Sequence, residues 1–94
     1  YYSIRAKHSG KCLDVKDASH DNGANVQQWD CAGGVGSNNQ LWTLNHAGGG
    51  YYYIKSKHSG KCLEVAGGST DNGGNVEQWD CGGYNNQQWS LVPK

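Results

Sequence analysis

Two sets of residues in this chain combine a carboxylate, a flat aromatic ring and a carboxamide at nearly matching offsets. Asp14, Trp29 and the pair Asn39-Gln40 form the first set; Glu64, Trp79 and the pair Asn86-Gln87 form the second. That combination suits a polyhydroxylated ring. A carboxylate accepts hydrogen bonds from two vicinal hydroxyls, and a carboxamide both donates and accepts. An indole face packs against a patch of C–H groups, which on a pyranose is most continuous in galactose-like sugars. Such sites are shallow and shaped by side chains on turns.

Other chemistries fit less well. General acid–base or glycosidic chemistry needs a second carboxylate near the first, and none recurs in both sets, so no catalytic residue is expected. His8 and Cys12, like His58 and Cys62, have a spacing open to zinc, but the cysteine pairs two to four residues apart that usually accompany it are missing. Asp21-Asn22-Gly23 and Asp71-Asn72-Gly73 lack the ligand spacing of a calcium loop and read as tight turns. His8 and His58 fall on turn tips, where a solvated ring is expected; His20 and His46 have no counterpart in the other copy. Neither a metal nor a cofactor is expected.

The two sets belong to a unit written twice. Residues 1–31 and 51–81 align without a gap at a spacing of 50, with 21 of 31 positions identical. After the second cysteine the register slips by three, from AGGVGSNNQLW at 32–42 to GGYNNQQW at 82–89. A fixed period of this length implies stacked copies, neither able to bury its apolar face alone. The expected division is a first lobe at 1–46, a glycine-rich link at 47–50 and a second lobe at 51–94. Each lobe is expected to hold four short strands: residues 1–6, 11–15, 25–31 and 40–44, then 51–56, 61–65, 75–81 and 87–91. These runs are rich in β-formers, KHSGK separates the first two as a hairpin turn, and no window has a helical period. On a strand, Gln40 and Trp42 would share a face. Trp42 and Trp89, set among Leu41, Leu44 and Leu91, read as core. Trp29 and Trp79, flanked by Gln28, Asp30, Gln78 and Asp80, read as exposed platforms.

Composition bounds the rest. The 94 residues include only 13 Ile, Leu and Val and no Phe or Met, so four Trp, six Tyr and four Cys must supply burial and cross-linking. Each copy carries two cysteines 19 apart, Cys12 with Cys31 and Cys62 with Cys81. Four cysteines permit three connectivities, and the repeat favours pairing within each copy. Such bridges point to a secreted, extracellular setting. Zero formal net charge and the lack of a Lys/Arg cluster argue against nucleic acid and anionic membranes as partners, and no apolar run reaches membrane-spanning length. The chain starts at Tyr1, as expected of a mature or excised piece.

Taken in order, CLDV, DNGANVQQWDC and NNQLW resemble the ricin B-type lectins and the related trefoil carbohydrate-binding modules, over nearly the whole chain. The resemblance implies an all-β fold of β-trefoil lobes, each built on a Gln-x-Trp core motif. It implies a non-catalytic, multivalent lectin for galactose- or N-acetylgalactosamine-type glycans, or alternatively a module of a polysaccharide-degrading enzyme binding xylan- or arabinan-type chains. By position, Asp14 would take sugar hydroxyls, Trp29 would stack, Asn39 would bind beside Asp14, Gln40 would support them and Gln27 would touch the ligand peripherally. Glu64, Trp79, Asn86 and Gln87 would serve the second pocket, with Glu77 standing where the first has Gln27. The extra methylene of Glu64 moves its carboxylate about 1.5 Å outward, so the two pockets should differ in affinity. A trefoil has three lobes and this chain has two, so homo-oligomerisation or a further repeat is expected to complete it.

Overall fold

Aliphatic residues this sparse cannot cover long strands, and the strands are correspondingly short. The computed structural model describes residues 1–93. Its strands are β1 (Cys12–Val15), β2 (Val26–Trp29), β3 (Trp42–Gly48), β4 (Tyr51–Ser56), β5 (Cys62–Val65) and β6 (Val76–Trp79). β1 and β2 pair as one antiparallel ribbon, and β3-β4-β5-β6 form a second antiparallel sheet. Short 3-10 turns join β1 to β2, β2 to β3 and β5 to β6, and no α-helix occurs among the described residues. The fold is all-β, as the strand-rich runs suggested, and built of the trefoil-type lobes that the resemblance implied.

Local structure departs from expectation at both lobe ends. Tyr51–Ser56 is a full strand because β3 lies beside it, joined through a glycine hairpin. Tyr1–Ala6, of near-identical composition, makes only single bridges, Tyr2 to Trp42 and Arg5 to Cys12. Strand propensity without a continuous partner does not make a strand. Gln40 lies on no strand either. It ends the 3-10 turn Asn38–Gln40, and β3 begins at Trp42, so the shared strand face is replaced by a turn that aims both side chains inward. In the second repeat, Gln87 likewise ends the turn Asn85–Gln87, Trp89 only bridges Tyr52, and Leu91 is exposed.

The core is Val15, Trp42, Ile54 and Leu63, with Val26, Val76 and a partly buried Trp89 packed around it. Each core indole satisfies its N–H on the first-cysteine strand of its own repeat: Trp42 Nε1 donates to the Leu13 carbonyl on β1 (3.1 Å) and Trp89 Nε1 to that of Leu63 on β5 (3.0 Å). Disulfides Cys12–Cys31 and Cys62–Cys81 close each repeat as expected. By the chain-entropy argument, closing loops of this size contributes about 3 kcal/mol each.

The repeats also dock on one another. The first repeat's turn at residues 19–24 sits on the outer edge of β6. Gln78 Nε2 donates to the carbonyls of Ser19 (2.8 Å) and Asp21 (2.9 Å), Gly23 N–H donates to Gln78 O, and Gln78 N–H donates to Ala24 O. Asn22 and Asp80 exchange two further hydrogen bonds. His58 is not a solvated turn-tip residue. Its Nε2 reaches Ser19 O at 2.7 Å and its Nδ1 reaches Ser56 Oγ at 2.6 Å. A carbonyl only accepts, so the proton sits on Nε2 and Ser56 donates to Nδ1.

Candidate functional site

Strand register places the first acid. Across β1–β2, Asp14 stands opposite Gln27 and Cys12 opposite Trp29, so the cystine anchors the strand end that carries the indole. Asp14 is 4 % exposed and accepts three side-chain hydrogen bonds. Gln27 Nε2 donates to Oδ1 (3.2 Å); Asn39 Nδ2 (3.2 Å) and Gln40 Nε2 (2.9 Å) donate to Oδ2. The Gln40 amide is fully committed: its second N–H goes to Asp30 O, and its carbonyl accepts from the Ala32 and Ser37 N–H groups. Gln40 is therefore a support that fixes the acid. A carboxylate offers about four lone-pair directions, so three donors leave about one for a ligand hydroxyl unless Gln27 swings aside.

Trp29 stands beside this acid with 60 % of its surface exposed. Asp14, Gln27, Trp29 and Asn39 line one cleft of about 630 Å³, to which Lys16 and Asp17 also contribute. The last two went unnoticed in the sequence because the second repeat has Ala66 and Gly67 at those places. Asp17 and Ala18 hold the left-handed backbone (φ 57° and 51°) that Gly67 and Gly68 take without strain in the second copy.

The second cleft, of about 560 Å³, is lined by Glu64, Glu77, Trp79, Tyr84, Asn85 and Asn86. Glu64 is 5 % exposed and Trp79 is 41 % exposed. Asn86 Nδ2 (3.5 Å) and Gln87 Nε2 (3.0 Å) both approach Glu64 Oε1. Gln87 is wholly buried and does not line the cleft; like Gln40, it supports the acid and takes the following backbone in hand, donating to Asp80 O and accepting from Gly82 N–H. Tyr84 adds a second exposed ring to this cleft, at the place of Ser37 in the first repeat, and repetition could not flag it. A Cβ at Gly82 would collide with that ring, so the glycine makes room for it.

Charge is arranged differently in the two clefts. Lys11 binds Asp30 at 2.7 Å and holds its carboxyl below the usual range. Asp80 is likewise lowered, by the Asn22 amide first and then by Lys61 at 3.0 Å. Glu77 moves the other way. Loss of water around it, then its contact with Glu64 and the charge there, push it up to about 7. No group of three or more His, Cys, Asp or Glu side chains among the described residues is placed to hold a metal ion.

The sequence pattern of the family described as "Ricin-type beta-trefoil lectin domain-like" matches residues 1–48 and again 38–94. Among solved structures, the designed threefold-symmetric protein ThreeFoil is 48 % identical with a TM-score of 0.92, covering 98 % of this chain and 64 % of its own. The exo-β-1,3-galactanase 1,3Gal43A of Clostridium thermocellum is 41 % identical with a TM-score of 0.89, over 96 % of this chain and 19 % of the enzyme. The hemolytic lectin CEL-III is 32 % identical with a TM-score of 0.76, over 96 % of this chain and 20 % of its own. This chain thus spans less than two thirds of each of these proteins. Matched through both repeats, the chain belongs to the ricin-type β-trefoil lectin-like domain family.

Proposed function

We propose that the protein is a non-catalytic, secreted lectin that binds galactose-type glycans through two similar clefts. The observation that carries this reading is the pairing, in both repeats, of a carboxylate held by amides with an exposed indole on the same cleft. Asp14 or Glu64 takes a hydroxyl, Asn39 or Asn86 adds a polar contact, and Trp29 or Trp79 covers the apolar face of the ring. Gln27 touches the ligand at the edge of the first cleft. The preference for galactose draws support from the galactan-degrading relative. Titration with methyl β-galactoside, followed by indole N–H shifts in NMR spectra, tests the reading. Signals of Trp29 and Trp79 should move, Asp14→Ala should silence the first and Glu64→Ala the second. Unchanged shifts in the parent chain would refute it.

A second reading has the chain as a carbohydrate-binding module of a polysaccharide-degrading enzyme, and the limited span of the galactanase that it matches favours that context. Galactan, xylan or arabinan oligosaccharides outcompeting the monosaccharide would support the module reading.

Multivalency follows from repetition. The second repeat's turn has the same internal bonds as the docked first one: Asp71 N–H to Ser69 Oγ and Gly74 N–H to Asp71 O, against Asp21 N–H to Ser19 Oγ and Ala24 N–H to Asp21 O. Ser9 also holds the Gln28 amide as Ser59 holds that of Gln78. The outer edge of β2 thus carries the docking groups of β6 with no partner among the described residues, and a further lobe, supplied by another copy or another repeat, would complete a trefoil. Sedimentation of the purified chain tests self-association; a strictly monomeric species would remove the copy-to-copy version.

A further inference from the structure

We propose that Glu77 makes sugar binding at the second cleft depend on a proton shared with Glu64, whereas the first cleft, with Gln27 in that place, binds independently of pH. This rests on the sugar-binding reading above. The geometry comes from strand register. Glu77 faces Glu64 across β5–β6 just as Gln27 faces Asp14 across β1–β2. In the first cleft the Gln27 amide donates to one oxygen of the acid and the turn amides donate to the other. In the second, both turn amides go to Glu64 Oε1, so no amide among the described residues serves Oε2. The carboxyl of Glu77, the cross-strand partner of Glu64 and a wall of the same cleft, stands there instead.

Two carboxylates at facing positions of one cleft resist ionising together, which favours a proton on Glu77. With one proton between them, Glu77 becomes the donor that Gln27 always is. Among the described residues, no cation lines the second cleft to neutralise the doubly ionised pair. Lys16, which lines the first cleft, is matched by Ala66, and the titratable groups lining the second cleft are Glu64, Glu77 and Tyr84. The first-repeat segment that adjoins Glu77, Gly23 to Asn25, carries no titratable side chain. The raised titration of Glu77, to about 7, agrees with this arrangement. A sugar seated on the pair displaces the water that screens it, so the ligand favours the singly protonated form. By linkage the proton then favours the ligand.

The test uses Asp14→Ala to silence the first cleft and follows methyl β-galactoside binding through the Trp79 indole N–H from pH 5.5 to 8.5. Affinity should fall above pH 7, with one-proton linkage limiting the fall to about tenfold per pH unit. Glu77→Gln, which reproduces the first cleft's residue, should bind with a flat profile. The mirror change Gln27→Glu, read through Trp29, should bring pH dependence to the first cleft. A carbon-13 titration of the Glu77 carboxyl, without sugar, should have its midpoint near 7. A flat profile at the second cleft, a pH dependence that survives Glu77→Gln, or a carboxyl midpoint below 5 would overturn the proposal while leaving binding at the first cleft intact. Silence of both clefts at every pH would overturn it together with the lectin reading.

Discussion

Gln40→Glu changes one buried atom and should unfold the first repeat's support from inside. The new side chain keeps the acceptor that receives the Ala32 and Ser37 N–H groups. It replaces the donor that lies 2.9 Å from Asp14 Oδ2 and 2.9 Å from Asp30 O. Two hydrogen bonds become two oxygen–oxygen oppositions, one of them against a carboxylate, at a residue only 2 % exposed. Asp14 Oδ2 keeps the Asn39 donor, but each lost bond now sets oxygen against oxygen and costs about 1–3 kcal/mol, so a loss of about 2–6 kcal/mol is expected near neutral pH. That is a large part of the roughly 5–15 kcal/mol typical of folded domains. The introduced carboxyl is buried beside a like charge, so its folded-state titration lies above its unfolded one. The folded state then binds more protons, and stability falls as pH rises through that window and returns on acidification. Urea unfolding monitored by tryptophan fluorescence at pH 5 and pH 8, against the parent chain, measures both effects. A loss below about 0.5 kcal/mol at both pH values, or an equal loss at the two, would refute the assignment of Gln40 as the group that fixes Asp14.

Trp29→Ala should weaken galactoside binding at the first cleft by about tenfold or more while shifting the urea midpoint little, since the ring is 60 % exposed; isothermal titration and unfolding curves read the two separately. Because the Glu77 titration is raised from 4.5 to about 7, parent stability should decline as pH rises from about 4.5 to 7, and Glu77→Gln should remove that decline in thermal melts. Reducing both disulfides should destabilise the chain by about 3 kcal/mol per bridge, seen as a collapsed melting temperature with added dithiothreitol. Gln78→Ala removes the three side-chain hydrogen bonds of a wholly buried amide at the junction of the repeats, with Ser19, Asp21 and Ser59, leaves the backbone pair with Gly23 and Ala24, and should cost about 2–4 kcal/mol; Gln28→Ala, its exposed counterpart, should cost under about 1 kcal/mol in the monomer.

Much of this architecture could be read from residues alone because the chain states it twice. Cysteines at equal spacing implied bridges within each repeat, and that pairing holds. Polar neighbours marked Trp29 and Trp79 as exposed rings, whereas Leu41 and Leu44 marked Trp42 as core. What stayed hidden depends on partners distant in sequence. Tyr1–Ala6 and Tyr51–Ser56 have the same propensity, and only the second lies beside a long strand. Gln40 and Gln87 look like strand residues until the buried acids they hold are known, because aiming an amide at those acids requires a turn. Asp21-Asn22-Gly23 reads as a simple turn; its docking on Gln78 and Asp80 depends on how the repeats pack. Tyr84 and Lys16 occupy places where the copies differ, so comparing one half with the other cannot single them out.

Gly23 has an effect on the ring behind which it lies. A Cβ there would come 3.7 Å from Trp79 Cζ3, so the main chain of the first repeat backs that indole, while the reverse side of Trp29 opens onto a groove beside Lys11, Gln28 and Asp30. Trp79 is thereby braced before any guest arrives, whereas Trp29 gains such backing only when a further lobe docks on β2. The braced ring surrenders less disorder at the moment of contact, which partly offsets the encumbered acid beneath it.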